Sequence, residues 1–252
     1  MTADRDSARR DDAGALYRIG NCPCLAVSEP DMKLLLEAAI RDRRSGYTVA
    51  INAEKIMAYQ EDPAVAEIID QALFPYPDGA GAVIGLSFLH GATAAKVNMP
   101  ILALAVANDL SAKVSIIGAD KVSHAGALKE IKRRFPQLTV VESSHGYISA
   151  DEIVSLICRS GADLVLLALG TPKQEIIAHQ SVEGGAQCLI IGCGGALDIM
   201  SGKSRRAPDW MVHGNLEWLY RLSREPWRWR RQLKLARYFA FLGKTWLRAK
   251  WG

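Results

Sequence analysis

Residues 113–192 read KVSIIGADKVSHAGALKEIKRRFPQLTVVESSHGYISADEIVSLICRSGADLVLLALGTPKQEIIAHQSVEGGAQCLIIG. Lys113–Gly118 predicts a strand, and Val122–Phe135 an amphipathic helix stopped by Pro136. Leu138–Glu142 is a second strand, and Ala150–Ser160 a helix stopped by Gly161. Asp163–Leu169 is apolar almost throughout, which predicts a strand buried on both faces; a helix over Pro172–Val182 and a strand over Gln187–Ile191 follow. Short apolar strands alternating with helices of roughly 10–14 residues mean βαβ units and a parallel sheet.

Working outward, residues 1–13 form a polar arm expected to be disordered. Pro30–Arg44 has helical spacing and ends at Gly46; Tyr47–Asn52 predicts a buried strand, then one helix from about Ala53 to Ala72. Helical patterns continue over Ala82–Lys96 and Pro100–Leu110. After about Ser204 the pattern is helical only, over Pro208–Ser223 and Pro226–Lys250. The chain thus divides into an arm (1–13), an α/β domain (14–204) and a helical appendage (205–252).

The appendage is chemically distinct. All six tryptophans lie in the last 43 residues, and the stretch from Arg221 to Gly252 carries ten Lys/Arg against one acid, Glu225. Indole rings settle at the headgroup level of a bilayer and Lys and Arg pair with lipid phosphates, so this end is expected to meet an anionic membrane surface. Helical spacing of Trp218, Leu219 and Leu222 also fits packing of residues 208–223 on the core. The longest apolar run, Met99–Ala107, is too short to span a bilayer, and the polar start does not read as a signal peptide. Five cysteines, an odd number, fit a reducing compartment. Together these predict a cytoplasmic protein, peripheral on the inner face of the membrane. Cys22-Pro-Cys24 has no second Cys/His pair at ligand spacing, so no metal is expected.

Ligands of open parallel sheets lie at the carboxyl ends of the strands, and three such ends are unusual. In Gly170-Thr171-Pro172-Lys173-Gln174-Glu175, Thr171 suits a helix N-cap and Pro172 the first helical position; Lys173 and the free N–H groups of the next turn would suit an anion. The plainer reading is a capped helix. Gly192-Cys193-Gly194-Gly195, with Asp198 just beyond, lets backbone amides approach a diphosphate, but it is neither a dinucleotide fingerprint nor a P-loop. Pro77-Asp78-Gly79 is either an ordinary turn or a carboxylate placed as a general base at a cleft mouth. His145, after a strand in Ser143-Ser144-His145-Gly146-Tyr147, is a candidate acid/base group or phosphate ligand. No nucleophile or metal motif accompanies them.

In this order, these pieces resemble a known family. Asp78-Gly79, His145-Gly146-Tyr147, GTPKQE at 170–175, GCGGALDIMSG at 192–202, Arg206-Ala207-Pro208, Glu217-Trp218-Leu219-Tyr220-Arg221-Leu222 and Glu225-Pro226 are similar to the WecG/TagA/CpsF glycosyltransferases. The resemblance covers roughly residues 45–240. It implies a Rossmann-like, mostly parallel sheet with flanking helices and a basic, Trp-rich helical appendage. It also implies inverting transfer from a UDP-sugar to a polyprenyl-diphosphate-linked sugar without metal or other cofactor. The sugar would be N-acetylmannosamine, its uronic acid or glucose, in surface or exopolysaccharide synthesis. The family's base falls on Asp78 and its active-site Gln on Gln174. Its appendage arginines, which hold the diphosphate and reach the membrane, fall on Arg206, Arg221, Arg228 and Arg231. The candidate substrate-binding residues are then Asn52, Lys96, His145, Thr171, Lys173, Gly192, Gly194, Gly195, Asp198 and those four arginines. Ala50 stands two positions before Asn52 where the family usually has Thr, and Ala95-Lys96-Val97 replaces a Glu-Arg-Val, with the segment after it shortened. Lys96 keeps the charge of that arginine but not its bidentate fork.

A non-catalytic membrane scaffold of the same fold is the main alternative. Intact Asp78 and Gln174 speak against it. A Rossmann oxidoreductase would need the missing fingerprint, and a nucleic-acid binder would leave the PKQE and glycine turns without a purpose. A homo-oligomer is compatible with everything above.

Overall fold

The computed structural model describes residues 14–204, Pro208, Met211 and 229–251. The expected arm, and the expected helix over 208–223 apart from Pro208 and Met211, lie outside the described residues.

The chain opens with an antiparallel hairpin of β1 (Ala15–Ile19) and β2 (Cys22–Ala26), joined by Gly20-Asn21. Gly20 has φ +63, the left-handed conformation that a two-residue hairpin turn needs. A six-stranded sheet forms the body: β3 (Gly46–Ile51), β4 (Phe74–Pro77), β5 (Lys113–Gly118), β6 (Thr139–Ser144), β7 (Leu164–Ala168) and β8 (Leu189–Gly192), in the order β4-β3-β8-β7-β5-β6. Every neighbouring pair is parallel. Central β7, LVLLA, is buried at all five residues, as a strand covered on both faces requires.

The helices are α1 (Glu29–Arg41), α2 (Ala53–Glu61), α3 (Pro63–Asp70), α4 (Ala80–His90), α5 (Met99–Asp109), α6 (Lys121–Arg134), α7 (Ala150–Arg159), α8 (Lys173–Glu183), α9 (Ala196–Met200) and α10 (Trp229–Trp251). Met32 and Leu36 of α1, Leu104 of α5 and Ile131 of α6 share one core; Ile56 of α2, Leu86 of α4, Ile157 of α7 and Ile177 of α8 share the other. The result is an α/β sandwich of the Rossmann-like kind. From β5 the chain leaves by α6 toward β6, while from β7 it leaves by α8 toward β8 on the opposite side, so the connections diverge between those two strands.

Several boundaries differ from the sequence expectation, each for a local reason. The helix expected over 53–72 is two helices. Asp62 ends α2, and its carboxylate accepts from the Ala64 N–H to begin α3. Pro63 lacks an N–H and pushes Asp62 into an extended conformation, φ −129. The helix expected to reach Lys96 stops at His90, because Gly91 at φ +64 closes it with a left-handed cap. Strand β4, FPYP, was hidden by its two prolines, which are tolerated at the sheet edge. By contrast α7 follows its sequence closely: the Ser149 side chain accepts from the Glu152 N–H, and Ile153, Leu156 and Ile157 face inward.

Helix α10 has two faces. Tyr238 and Leu242, one turn apart, are buried in the core shared with α2 and α4, and the Tyr238 hydroxyl donates to the Gly81 carbonyl at 2.7 Å. On the other side Phe239, Leu247 and Trp251 are exposed. One side of α10 is thus packed on the core, which the sequence reading of this end did not include. No helix among the described residues is long and apolar enough to cross a membrane.

Candidate active site

The carboxyl ends of β4, β3, β8 and β7 lie side by side, and backbone bonds fasten them together. The Asp78 N–H donates to the Ile51 carbonyl at 2.7 Å, joining the ends of β4 and β3, and the Cys193 N–H donates to the Leu167 carbonyl at 2.9 Å, joining β8 and β7. Asp78 is exposed just before Gly79, which has φ +84 and starts α4. A Cβ built at Gly79, Gly170 or Gly194 would meet nothing within 4 Å, and all three have positive φ. The loops above these strands thus adopt conformations favouring glycine while leaving open space in front of the backbone.

Asn52 is the N-cap of α2: its side-chain oxygen accepts from the Lys55 N–H at 3.0 Å. Lys55 then turns inward. Its ammonium donates to the Ala50 carbonyl at 3.0 Å and to Glu175 Oε1 at 2.6 Å, with the two side chains only 10% and 8% exposed. The same Oε1 accepts from Thr171 Oγ1 at 3.0 Å and from Gln174 Nε2 at 3.2 Å. Gln174 Oε1 in turn accepts from the Gly194 N–H at 3.0 Å. One buried carboxylate therefore links the loops after β3, β7 and β8.

Sequence reasoning named Asn52, Thr171, Gln174 and Gly194 but missed Lys55 and the use of Glu175. A lysine beside Ile56 on a short helix carries no signal that it is buried; only its partner 120 positions away makes that burial tolerable. The reading of Thr171 as a helix N-cap is corrected. Helix α8 begins at Lys173 after Pro172, with no side-chain cap, and the threonine hydroxyl donates to the Glu175 carboxylate instead. A carboxylate is the stronger acceptor partner for that hydroxyl. The Gln174 N–H is already taken by the Gly170 carbonyl at 2.9 Å, so this helix start offers fewer free amides to an anion than the sequence suggested. Lys173 is exposed beside it.

The electrostatics of the floor are set by burial. Tyr76, at the end of β4, is held well above the usual phenol range by burial, with the carboxylates of Asp78 and Glu175 adding to the effect. Burial also pushes the Cys193 thiol up to about 12, so it is a packing residue and not a nucleophile at neutral pH. Gly192 is needed sterically: a Cβ there would stand 2.6 Å from Gln174 Nε2.

The remaining candidates are dispersed. His145 follows β6, the edge strand opposite β4, so about 24 Å of sheet separates its strand from that of Asp78 at ~4.8 Å per strand. Its Nδ1 accepts from the Tyr147 N–H at 3.2 Å. Nearby His124 is lowered by burial and by His145, against a bond to the Gly118 carbonyl that raises it. Asp120 caps α6 and pairs with Lys203. Asp198 and Gly195 belong to the turn and first residues of α9, where the Asp198 carbonyl accepts from Ser201 Oγ and the Ser204 N–H. Lys96 is half-buried between α4 and α5, next to Ala95, whose N–H donates to the Val27 carbonyl at 3.0 Å. Arg206, Arg221 and Arg228 lie outside the described residues, and Arg231 falls in the first turn of α10. Among the described residues no three His, Cys, Asp or Glu gather as a metal site, and Cys22 and Cys24 are buried in the hairpin.

A parallel α/β sheet with glycine turns at its strand ends is the architecture of the Rossmann-like class, whose ligands lie at that edge. The family model "Glycosyl transferase WecG/TagA/CpsF family" matches residues 17–252, and the chain belongs to that family. It is 31% identical over 208 residues to the "N-acetylglucosaminyldiphosphoundecaprenol N-acetyl-beta-D-mannosaminyltransferase" of Bacillus subtilis, covering 81% of each chain. The protein of the same description from Bacillus spizizenii is likewise 31% identical over 208 residues, again with 81% of each chain covered. The protein is thus a glycosyltransferase.

Proposed function

We propose that this glycosyltransferase moves a sugar from a UDP-sugar to a polyprenyl-diphosphate-linked sugar, with inversion and with Asp78 as general base. The observation that carries the reading is the placement of exposed Asp78 on the same row of strand ends as Gln174 and the Gly192–Gly195 turn, with open space before Gly79, Gly170 and Gly194. The names of the two Bacillus relatives support a lipid-linked acceptor, and N-acetylmannosamine is the donor sugar their names favour.

In this mechanism an acceptor hydroxyl attacks the anomeric carbon as the bond from that carbon to the UDP oxygen breaks. The hydroxyl proton passes to the Asp78 carboxylate, and UDP departs with the bonding electrons. Developing charge on its diphosphate needs donors and cations. Lys96, Lys173 and the appendage arginines Arg206, Arg221, Arg228 and Arg231 are the candidates, with the Gly195 N–H of the turn after β8. The reading requires no metal. An acceptor anchored in lipid requires the site to work at a membrane surface. The seam between α4 and α10 supports this: the Phe88 and Trp246 rings lie 5.9 Å apart at the surface, and the Lys250 ammonium sits 4.8 Å from the Trp246 ring centre. The described part of α10, Trp229–Trp251, contains Lys and Arg but no acid. We place the protein on the inner face of the cell membrane in this role.

The test is transfer of labelled sugar from a panel of UDP-sugars to a polyprenyl-diphosphate-linked acceptor in detergent, with and without EDTA. Asp78→Asn keeps the shape and removes the base, so turnover should drop at least about 10²-fold while UDP still binds. Wild-type turnover in Asp78→Asn would end its assignment as the base.

A further inference from the structure

The two partners of the Gln174 amide leave it one orientation. The Gly194 N–H can only donate and the Glu175 carboxylate, facing the Lys55 ammonium, accepts. Turning the amide by half a rotation would set its NH2 against the Gly194 N–H and its oxygen against the carboxylate, exchanging two hydrogen bonds for two repulsions. Rotation is also confined: Gln174 is 5% exposed, and its Nε2 lies close against Gly192. The carbonyl oxygen is spent on Gly194 and one Nε2 hydrogen on Glu175. Among the described residues Nε2 makes no hydrogen bond besides the one to Glu175, which leaves its second hydrogen for a ligand.

We infer that the buried Lys55–Glu175 pair is a positioning device that fixes Gln174 as a hydrogen-bond donor to an oxygen of the bound UDP-sugar. This rests on the glycosyltransferase mechanism above. The pair's net charge is zero, so it can sit in the interior without a counter-ion from solvent, and Lys55 is itself anchored to the Ala50 carbonyl at the end of β3. Thr171 adds a third donor to Glu175 Oε1. Glu175 Oε2 is buried without a hydrogen-bond partner among the described residues, so all three bonds converge on one oxygen. Lys55 and Glu175 thus act on the substrate through Gln174; they do not touch it themselves.

A purely structural role and a positioning role separate in one set of variants. Glu175→Gln removes the charge and gives residue 175 an amide that can face Gln174 in either sense. Lys55→Met/Glu175→Gln removes both charges together, so no uncompensated ammonium is left inside, and it keeps the set informative if the single variant does not fold. The double variant should melt within a few degrees of wild type. Its kcat should nevertheless fall about 10²-fold, the effect of a misplaced reacting group, with the acceptor KM unchanged. Recovery of kcat along with stability would reduce the pair to a structural strut and overturn the proposal.

A second readout does not depend on turnover. In the ¹⁵N spectrum of side-chain amides, Gln174 (assigned by its loss in Gln174→Leu) should show two widely separated protons, one protected from exchange. Both features should vanish in the double variant. A Gln174 amide that already exchanges freely in wild type overturns the proposal, whereas absence of transfer by wild type counts only against the glycosyltransferase mechanism. Calorimetric titration with UDP and with the UDP-sugar locates the oxygen. Weaker binding of both by the double variant places it on the UDP part, and weaker binding of the UDP-sugar alone places it on the sugar.

Discussion

Tyr238 should be the residue on which docking of α10 depends. Its ring lies in a channel made by two glycines one turn apart on α4: a Cβ at Gly85 would come within 2.6 Å of its hydroxyl, and one at Gly81 within 3.5 Å of its ring. Tyr238→Phe loses only the bond to the Gly81 carbonyl, about 1 kcal/mol. Tyr238→Ala empties the channel, which in a rigid core costs about 3–5 kcal/mol. The only other fully packed side chain described on α10 is Leu242, and the Arg237–Glu61 pair at 2.8 Å is exposed on both sides and adds about 1 kcal/mol at most. The helix is therefore expected to undock before the sheet unfolds. Because every tryptophan lies at or beyond position 210, Trp fluorescence reports this end of the chain while far-UV circular dichroism is dominated by the body. In Tyr238→Ala the fluorescence transition should move to lower urea ahead of the dichroism. Trypsin cleavage within the Lys/Arg-rich helix should accelerate about 10²-fold, the factor matching about 3 kcal/mol when cleavage follows the open population. Gly85→Ala approaches the same contact from the other side. It should also speed cleavage, even though alanine favours the α4 helix by about 1 kcal/mol. Cleavage of Tyr238→Ala at the wild-type rate would refute the docking described here.

Gly192→Ala drives a methyl group to within 2.6 Å of Gln174 Nε2, so the amide must leave Gly194 and Glu175; a loss of about 1–3 kcal/mol by thermal melting should accompany a collapse of transfer, and an unchanged melt would count against the network. Asp120 is held below the usual carboxylate range first by its hydrogen bond to Lys203 and then by the Ser123 N–H. A depressed carboxylate stabilises the fold above its unfolded value, about pH 4, and that contribution fades as pH falls toward the folded value. Asp120→Asn should therefore lose stability at pH 7 and show a flatter decline below pH 4 than wild type, and parallel acid limbs would exclude the effect. Phe88→Ser/Trp246→Ser leaves the buried α10 contacts untouched and should reduce sedimentation with anionic liposomes several-fold. Deleting α10 would be a poorer test, because it also uncovers the Tyr238 channel; equal sedimentation of the double serine variant would remove this seam from the membrane face.

The periodicity of residues 113–192 by itself determined the parallel α/β body, because a strand such as LVLLA, apolar at every position, is stable only when covered on both faces. The motifs Asp78-Gly79, GTPKQE and GCGG, with the Arg- and Trp-rich end, were also enough to point to the family. Strand order was not legible, since it depends on which strands pair and not on the content of any one of them. Nor was the separation of His145 from Asp78, although both follow strands in the sequence. The Lys55–Glu175 pair was hidden for a related reason. In one dimension Lys55 is a solvated lysine on a short helix and Glu175 a helix-start acid. Only the tertiary structure brings them to 2.6 Å in a region where neither could be buried alone. The two faces of α10 follow the same rule: the sequence shows a helical segment dense in Arg and Trp, but the channel formed by Gly81 and Gly85 decides which side meets the core.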